Sequence, residues 1–400
     1  MRRKRTRFVS ILILLFLSLS PLTAQDKLDL FGYFEPQFMG ISIQNQFYQL
    51  FSNKLRVDLK WGPLNNITFA ANFDFITYHG TTKWNLLEFL PTQVTAAIPE
   101  LFKPVYVIPL SNRIFLDNAY LKLAFKHFDI TAGKQQISLG TGNVWNPTDI
   151  FNIKDPVDPT YEQPGQNALR LDVPITDSTT FSALYSPDDE WQSSAKMVQI
   201  KSRIKRFDLT VVAIEKIWLF HDYTQFDFVL MNFPELPEKR QLLGLSTAGE
   251  ILGIGIWAEF AYNWMETTDD FHELAAGFDY TFDFQTYILA EYYRNSLGKT
   301  DRLDYDLNDW MRFMVSEQKA IARDQFYALV QHPVTDLMNL GLSTIFCITD
   351  GSFVLVPTLE YSLSDNVDIF AYLNLNFGKE GTNYDKSLGK GGMIRARIYF

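Results

Sequence analysis

From Leu28 to Phe400 the apolar residues of this chain recur at every second position. Val367, Ile369, Ala371, Leu373, Leu375 and Phe377 alternate with Asp368, Phe370, Tyr372, Asn374 and Asn376. Ile67, Phe69, Ala71, Phe73 and Phe75 follow the same rule, as do Phe207, Leu209, Val211 and Ala213, and Leu274, Ala276, Phe278, Tyr280 and Phe282. Successive side chains of a strand point to opposite faces, so each segment has one oily face and one largely polar face, a pattern that no helix presents.

A soluble β-sandwich also alternates, and the lengths of strands and connections separate the two classes. Sandwich strands average about five or six residues. Here many segments run about 9 to 12, the length a tilted strand needs to cross a hydrocarbon layer. Short turns are expected at Gly62 to Asn66, around His127, at Pro174 to Ser178, at Lys205-Arg206, at Ala248 to Glu250, near Asp283, at Pro333 to Asp336 and at Ser364 to Asn366. Longer connections alternate with them: His79 to Asn112, Thr141 to Gly165, Ser186 to Ser194, Trp218 to Arg240, Trp264 to Phe271, Asn295 to Lys319 and Gly378 to Gly391, with one short member, Thr349 to Ser352. The pattern predicts an all-β fold, a closed antiparallel transmembrane β-barrel of about 18 strands (16–20), even-numbered as single-chain bacterial barrels are.

The two ends agree with that expectation. Basic residues from Arg2 to Arg7 run into the apolar stretch Phe8 to Leu19, and Leu22-Thr23-Ala24 supplies a small-residue exit. This is the order of a secretory signal peptide, residues 1–24, and residues 25–400 would form one outer-membrane barrel domain. At the other end Ile394, Ala396, Ile398 and Phe400 share one face while Arg395, Arg397 and Tyr399 share the other. This ending resembles the C-terminal signal by which outer-membrane barrels are recognised for assembly. The resemblance implies that Tyr399 and Phe400 are read by a barrel-assembly machinery.

Leu116-Asp117-Asn118-Ala119-Tyr120-Leu121, together with the run from Gly133 to Phe151 (GKQQISLGTGNVWNPTDIF), carries a second resemblance. It is similar to the G-[RK]-Q … G … N-P-x-D region of porin-like outer-membrane families of Gram-negative bacteria, a group to which alginate-export channels are related. The resemblance implies a barrel with an inward-leaning segment after this strand, and it carries no substrate. Physically, Gly140 and Gly142 permit unusual φ values, and Asn146-Pro147 starts a turn whose Asp149 can accept from nearby backbone amides.

Composition narrows the function. Removing the five basic residues of the signal peptide takes the net charge from −10 to −15, which argues against nucleic acid as a partner. A single cysteine, Cys347, excludes an intramolecular disulfide and a multi-cysteine metal site. Motifs for covalent catalysis and phosphate binding are missing, and the five histidines are scattered, so neither a catalytic residue nor a cofactor or metal is expected. Asp301, Asp304, Asp306 and Asp309 lack the spacing of a calcium loop and read as a solvated acidic connection.

Orienting every strand by its apolar face points Lys54, Arg56, Lys60, Lys122, Arg170, Lys201 and Arg203 into the lumen, joined by Arg395 and Arg397 at the closing seam. Glu259, Asp279, Glu291, Glu360 and Asp368 point inward from the later strands, so a transverse field across a pore is expected, incomplete because Asp58, Asp172 and Asp208 sit among the basic residues. The connection from Trp84 to Pro109, with Leu86, Leu87, Phe89, Leu101 and Phe102, is too apolar to stay solvated and is expected to pack into the lumen rather than over the mouth. Taken together, these features predict a porin-like channel for passive diffusion of small hydrophilic solutes, anions and zwitterions favoured, with outer-membrane lipid as its surroundings. A barrel that exports or binds a polymer or lipid, and an outer-membrane hydrolase, are the rival readings.

Overall fold

The computed structural model describes residues 28–43, 46–154 and 162–400. The expected signal peptide lies outside the described residues. The strands are β1 (Leu28–Ile43), β2 (Gln46–Leu64), β3 (Ile67–Gly80), two short strands β4 (Lys83–Asn85) and β5 (Val107–Pro109), β6 (Arg113–Ala124) and β7 (Asp129–Gln135). They continue with β8 (Gln166–Thr176), β9 (Thr179–Ser186), β10 (Ala195–Ile204), β11 (Phe207–His221), β12 (Glu235–Ile251), β13 (Ile254–Met265) and β14 (Phe271–Thr281). The last are β15 (Tyr287–Asn295), β16 (Asp324–Thr335), β17 (Met338–Cys347), β18 (Phe353–Ser364), β19 (Val367–Phe377) and β20 (Lys390–Tyr399).

Apart from β4 and β5, which pair only with each other, every strand pairs antiparallel with its neighbours along the chain in one 18-stranded sheet. The sheet closes on itself because β20 pairs with β1: Tyr33 lies opposite Tyr399, and the Phe400 N–H donates to the Gly32 carbonyl at 3.1 Å. Among the described residues closure leaves no free edge to the sheet, the condition for it to sit in lipid. The alternation dictates the two faces. Phe69, Phe73, Val211, Leu245, Phe278, Leu342, Leu373 and Ile394 are exposed on the outside, forming an apolar belt that lipid must cover. Trp61, Phe125, Phe128 and Phe284 mark one rim of the belt, and Phe51, Trp264 and Phe377 the other.

One expected turn is misplaced. Ala248 to Glu250 lies inside β12, and the hairpin turns instead at Leu252 and Gly253, both at positive φ (53° and 82°). Two successive left-handed residues match the twist of the flanking strands, and that geometry prevails although Leu252 is left 91% exposed.

Candidate functional site: the lumen and its inward segment

At Gln135 the chain leaves the wall, and β7 is the shortest barrel strand at seven residues. The segment that follows turns into the lumen. Its first apolar side chains, Ile137 and Leu139, are buried with Phe151 against inward-facing Ala168, Leu184, Met197, Val212, Ile214, Leu242 and Ala261. Val144 and Trp145 reach further round the wall, to Trp257, Leu289, Tyr293, Ile345 and Val354. Along this arc the inner face of the barrel carries a buried apolar layer among its polar groups, a departure from the polar lumen expected of porin-like alternation. The physical reason is the segment itself, which gives inward apolar residues something to pack against.

The segment is folded by its own polar groups. Asp149 accepts from the backbone N–H groups of Leu139 (3.3 Å), Phe151 (3.0 Å) and Asn152 (3.1 Å), while the side-chain amides of Asn146 and Asn152 donate to the carbonyls of Leu139 and Ile137. Burial pushes the Asp149 carboxyl above its ordinary range despite those donors. Two carboxylates of the wall then hold the folded segment in place. Glu259 accepts from Thr141 N (2.7 Å), Gly142 N (3.3 Å), Thr148 N (2.6 Å) and Thr148 Oγ1 (2.7 Å). Glu291 accepts from Asn143 N (2.7 Å), Val144 N (3.1 Å), Trp145 N (2.8 Å) and Trp257 Nε1 (2.7 Å). Gly140 has φ +83°, and a Cβ there would lie 2.5 Å from the Glu259 carboxylate, so both conformation and space demand glycine. Lys319 clamps the far side, donating to the carbonyls of Asn146 (2.7 Å) and Pro147 (3.3 Å) and pairing with Glu273 (3.2 Å).

Glu259 and Glu291 do face inward, but at 1% and 0% exposure they are covered by the segment and line no open passage. Their carboxylates are taken up by neutral N–H and O–H donors of the segment and by the Trp257 indole, so they face that segment and not a passage. Among the other acidic candidates, Asp279 accepts from the Tyr287 hydroxyl (3.0 Å), Glu360 from Gln331 (3.2 Å) and Asp368 from Ser362 (2.9 Å).

Most of the basic candidates are ion-paired. Arg56 contacts Asp58 (2.9 Å), Asp117 (3.1 Å), Glu162 (3.3 Å) and Asp74 (3.6 Å), and Lys54 contacts Glu162 (2.5 Å) and Asp74 (3.6 Å). Glu35 takes Arg397 (2.6 Å) and Arg395 (3.8 Å), and Arg397 also reaches Glu162 (3.7 Å). Four cations thus meet five carboxylates, which corrects the expectation of a basic wall. Asp117 is present because a bulge opposite Asn72 and Phe73 turns both it and Asn118 inward. Glu162 arrives from the connection that returns to β8. Burial opposes its charge, but Lys54, Tyr33 and Arg56 outweigh burial and hold its carboxyl below the usual range. Lys122, Arg170 and Arg203 pair with Asp129, Asp172 and Asp208 (2.8, 2.9 and 2.8 Å). Lys60 and Lys201 are exposed and form no ion pair among the described residues. A cavity of about 250 Å³ is lined by Glu360, Asp368, Arg395, Arg397 and Tyr399. A second, of about 270 Å³, lies beside the inward segment between Lys216, Trp218, Arg240 and Glu273.

The Trp84 to Pro109 connection behaves differently from expectation. Leu87, Leu90 and Tyr106 are buried with Tyr223, Tyr305, Trp310 and Met311, all from other outer connections, and the Tyr106 hydroxyl donates to the Tyr223 carbonyl (2.5 Å). Apolar loops covering one another form a lid in the mouth, and it is the segment after β7 that packs inside the lumen. The acidic run is structural too: Asp301 caps one helical turn, and Asp306 with Asp309 forms the capping box of the helix Leu307–Met314.

No protein-family model matches the chain, and no curated protein matches its sequence. Solved structures do match. Acinetobacter baumannii OccAB4 superposes with a TM-score of 0.57 at 10% identity, covering 94% of this chain and 97% of that one. The fold is that of a porin-type barrel. A BenF-like porin from Pseudomonas fluorescens Pf-5 gives 0.57 at 7% identity, with 93% and 98% covered, and OccAB1 of A. baumannii gives 0.56 at 8%, with 96% and 98% covered. What is shared at these identities is the fold. The alginate-export part of the resemblance rests on residues 116–121 and 133–151 alone.

Proposed function

We propose that this chain is an outer-membrane channel for passive diffusion of small hydrophilic solutes, and that it performs no chemistry. The supporting observation is the inward segment: it is fixed to Glu259 and Glu291 on one side, while its return through Glu162 is fixed to Tyr33, Lys54 and Arg56 on the other. A pre-organised constriction of this kind sets a bore. The wall facing it interleaves cations and carboxylates a few ångströms apart, a surface that favours a zwitterion carrying both charges over a simple anion. The anion preference expected from the basic residues therefore narrows, in this proposal, to dipolar solutes. Single-channel recording in planar bilayers tests the reading. Discrete open steps, blocked by a zwitterion such as glycine betaine more strongly than by chloride or acetate, are expected. Silence with tight polymer binding would favour an exporter, and silence with hydrolysis of lipid would favour an enzyme.

A further inference from the structure

On the outside of the barrel, five strand pairings line up one row of residues: Leu169, Tyr185, Lys196, Glu215, Gln241 and Trp264. Alternation fixes these residues as outward, since Val198 and Leu243, two positions along from Lys196 and Gln241, are 47% exposed. Three of the row are therefore polar on a face that elsewhere meets lipid. Lys196 pairs with Glu215 at 2.8 Å, and Lys239, one outward position higher on β12, pairs with the same carboxylate at 3.2 Å. Gln241 donates to it at 2.9 Å, and the Lys196 ammonium lies 4.7 Å from the centre of the Trp191 ring. Lys196 is the second residue of β10, so the cluster sits at the outer rim, the depth at which barrels tolerate lipid-facing charge.

The row beneath it is apolar: Leu171, Ala183, Val198, Ala213 and Leu243. Two alanines between larger neighbours lower the floor, and the two rows border an open groove of about 720 Å³ flanked by Leu169, Tyr185, Trp191 and Trp264. Two ammonium groups share one carboxylate, which leaves a net positive charge, and each ammonium has three donors to place. The geometry points to a lipid site, in which an acyl lipid of net negative headgroup, its phosphate not offset by a cation of its own, sets that phosphate on Lys196 and Lys239 and lays a chain down the groove over Ala183 and Ala213. The aromatic walls suit the boundary between headgroup and chain. The site faces away from the lumen, so it rests on membrane placement and not on what the channel passes.

The test is native mass spectrometry of the detergent-solubilised barrel titrated with phosphatidylglycerol or with phosphatidylcholine of the same chains. The wild-type barrel is expected to retain phosphatidylglycerol in preference, and Lys196→Gln and Lys239→Gln are each expected to weaken that binding about fivefold while leaving phosphatidylcholine unchanged. Ala183→Phe with Ala213→Phe fills the groove without altering charge and is expected to weaken both lipids in a barrel that still shows heat-modifiable migration. Equal retention of the two lipids by the wild type, or an unchanged preference after both lysine substitutions, would overturn the proposal. Displacement of phosphatidylglycerol by inorganic phosphate at equal concentration would also overturn it, by showing a simple anion site. Conductance is expected to stay the same in all three variants, which keeps this result separate from the channel reading.

Discussion

Replacing Glu291 by alanine removes the acceptor of three backbone N–H groups, those of Asn143, Val144 and Trp145, and of the Trp257 indole. Hydrogen bonds to a charged group contribute about 1.5 to 3 kcal/mol each, and a buried donor left unpaired costs about 1 to 3 kcal/mol. Water entering the vacated space recovers part of that loss, so about 4 kcal/mol is a conservative figure for the weakened hold on the segment. Such a change shifts the equilibrium between seated and released segment roughly a thousandfold. The barrel itself is held by its closed ladder of strand pairs and should still insert. In planar bilayers the Glu291→Ala channel is therefore expected to show a higher main conductance or rapid switching between levels, with normal heat-modifiable migration. Glu291→Gln, which keeps one acceptor oxygen but turns a donor toward the amides, should lie between. If the alanine variant inserts normally and its conductance and noise equal those of the wild type, the segment does not govern the bore.

Deleting Tyr399 and Phe400 removes the Gly32 pairing at the seam and should abolish outer-membrane assembly while export continues, as read by fractionation and heat modifiability. Replacing Arg56, Arg203 and Arg397 together by glutamine removes the guanidinium partners of Asp58 and Asp208 and the nearer one of Glu35, and the reversal potential under a salt gradient should move toward cations at low salt and less at high salt. Exchanging residues 84–109 for a short Gly and Ser linker should open the lid and raise access to the mouth, measured as faster labelling of a cysteine placed at Asn308. Because the pKa of Glu162 is depressed, its anchoring contribution should be fully present above the ordinary carboxylate range and disappear only as pH falls through the lowered value. Conductance should therefore be flat down to mildly acidic pH and change below it, and the acid change should vanish in Glu162→Gln.

Most of the fold was legible because a barrel strand writes its two environments into alternate residues. The turn at Leu252-Gly253 was not, since Ala248-Gly249-Glu250 looks more like a turn than Leu-Gly does, and only pairing with β11 and β13 fixes its place. Alternation also located the inward direction of Arg56, Glu259 and Glu291. It could not say what each would meet. Asp74 and Glu273 lie on the same wet faces and could have been read as partners, whereas Asp117 turns inward only through a bulge and Glu162 comes from a connection with no local period. Arg240, placed in an outer connection by its polar neighbours, is in fact a buried strand residue bound to Glu273 at 3.1 Å. The apolar inner arc was not legible for a related reason: Val212 and Ile214 fall on the face opposite Val211 and Ala213, and only the segment that covers them accounts for apolar residues there.

The segment after β7 lies across the inner surfaces of strands from β8 to β18, and those strands surround it. It gives the inner faces of those strands a common surface to pack on, and so serves as an internal brace for the barrel. Permeability and robustness are then coupled in this molecule. A lineage selected for a wider passage by trimming this segment would also lose the buried apolar packing that steadies half of its wall, and compensating apolar-to-polar changes at Val212, Ile214, Leu242 and Val354 would have to accompany the trimming.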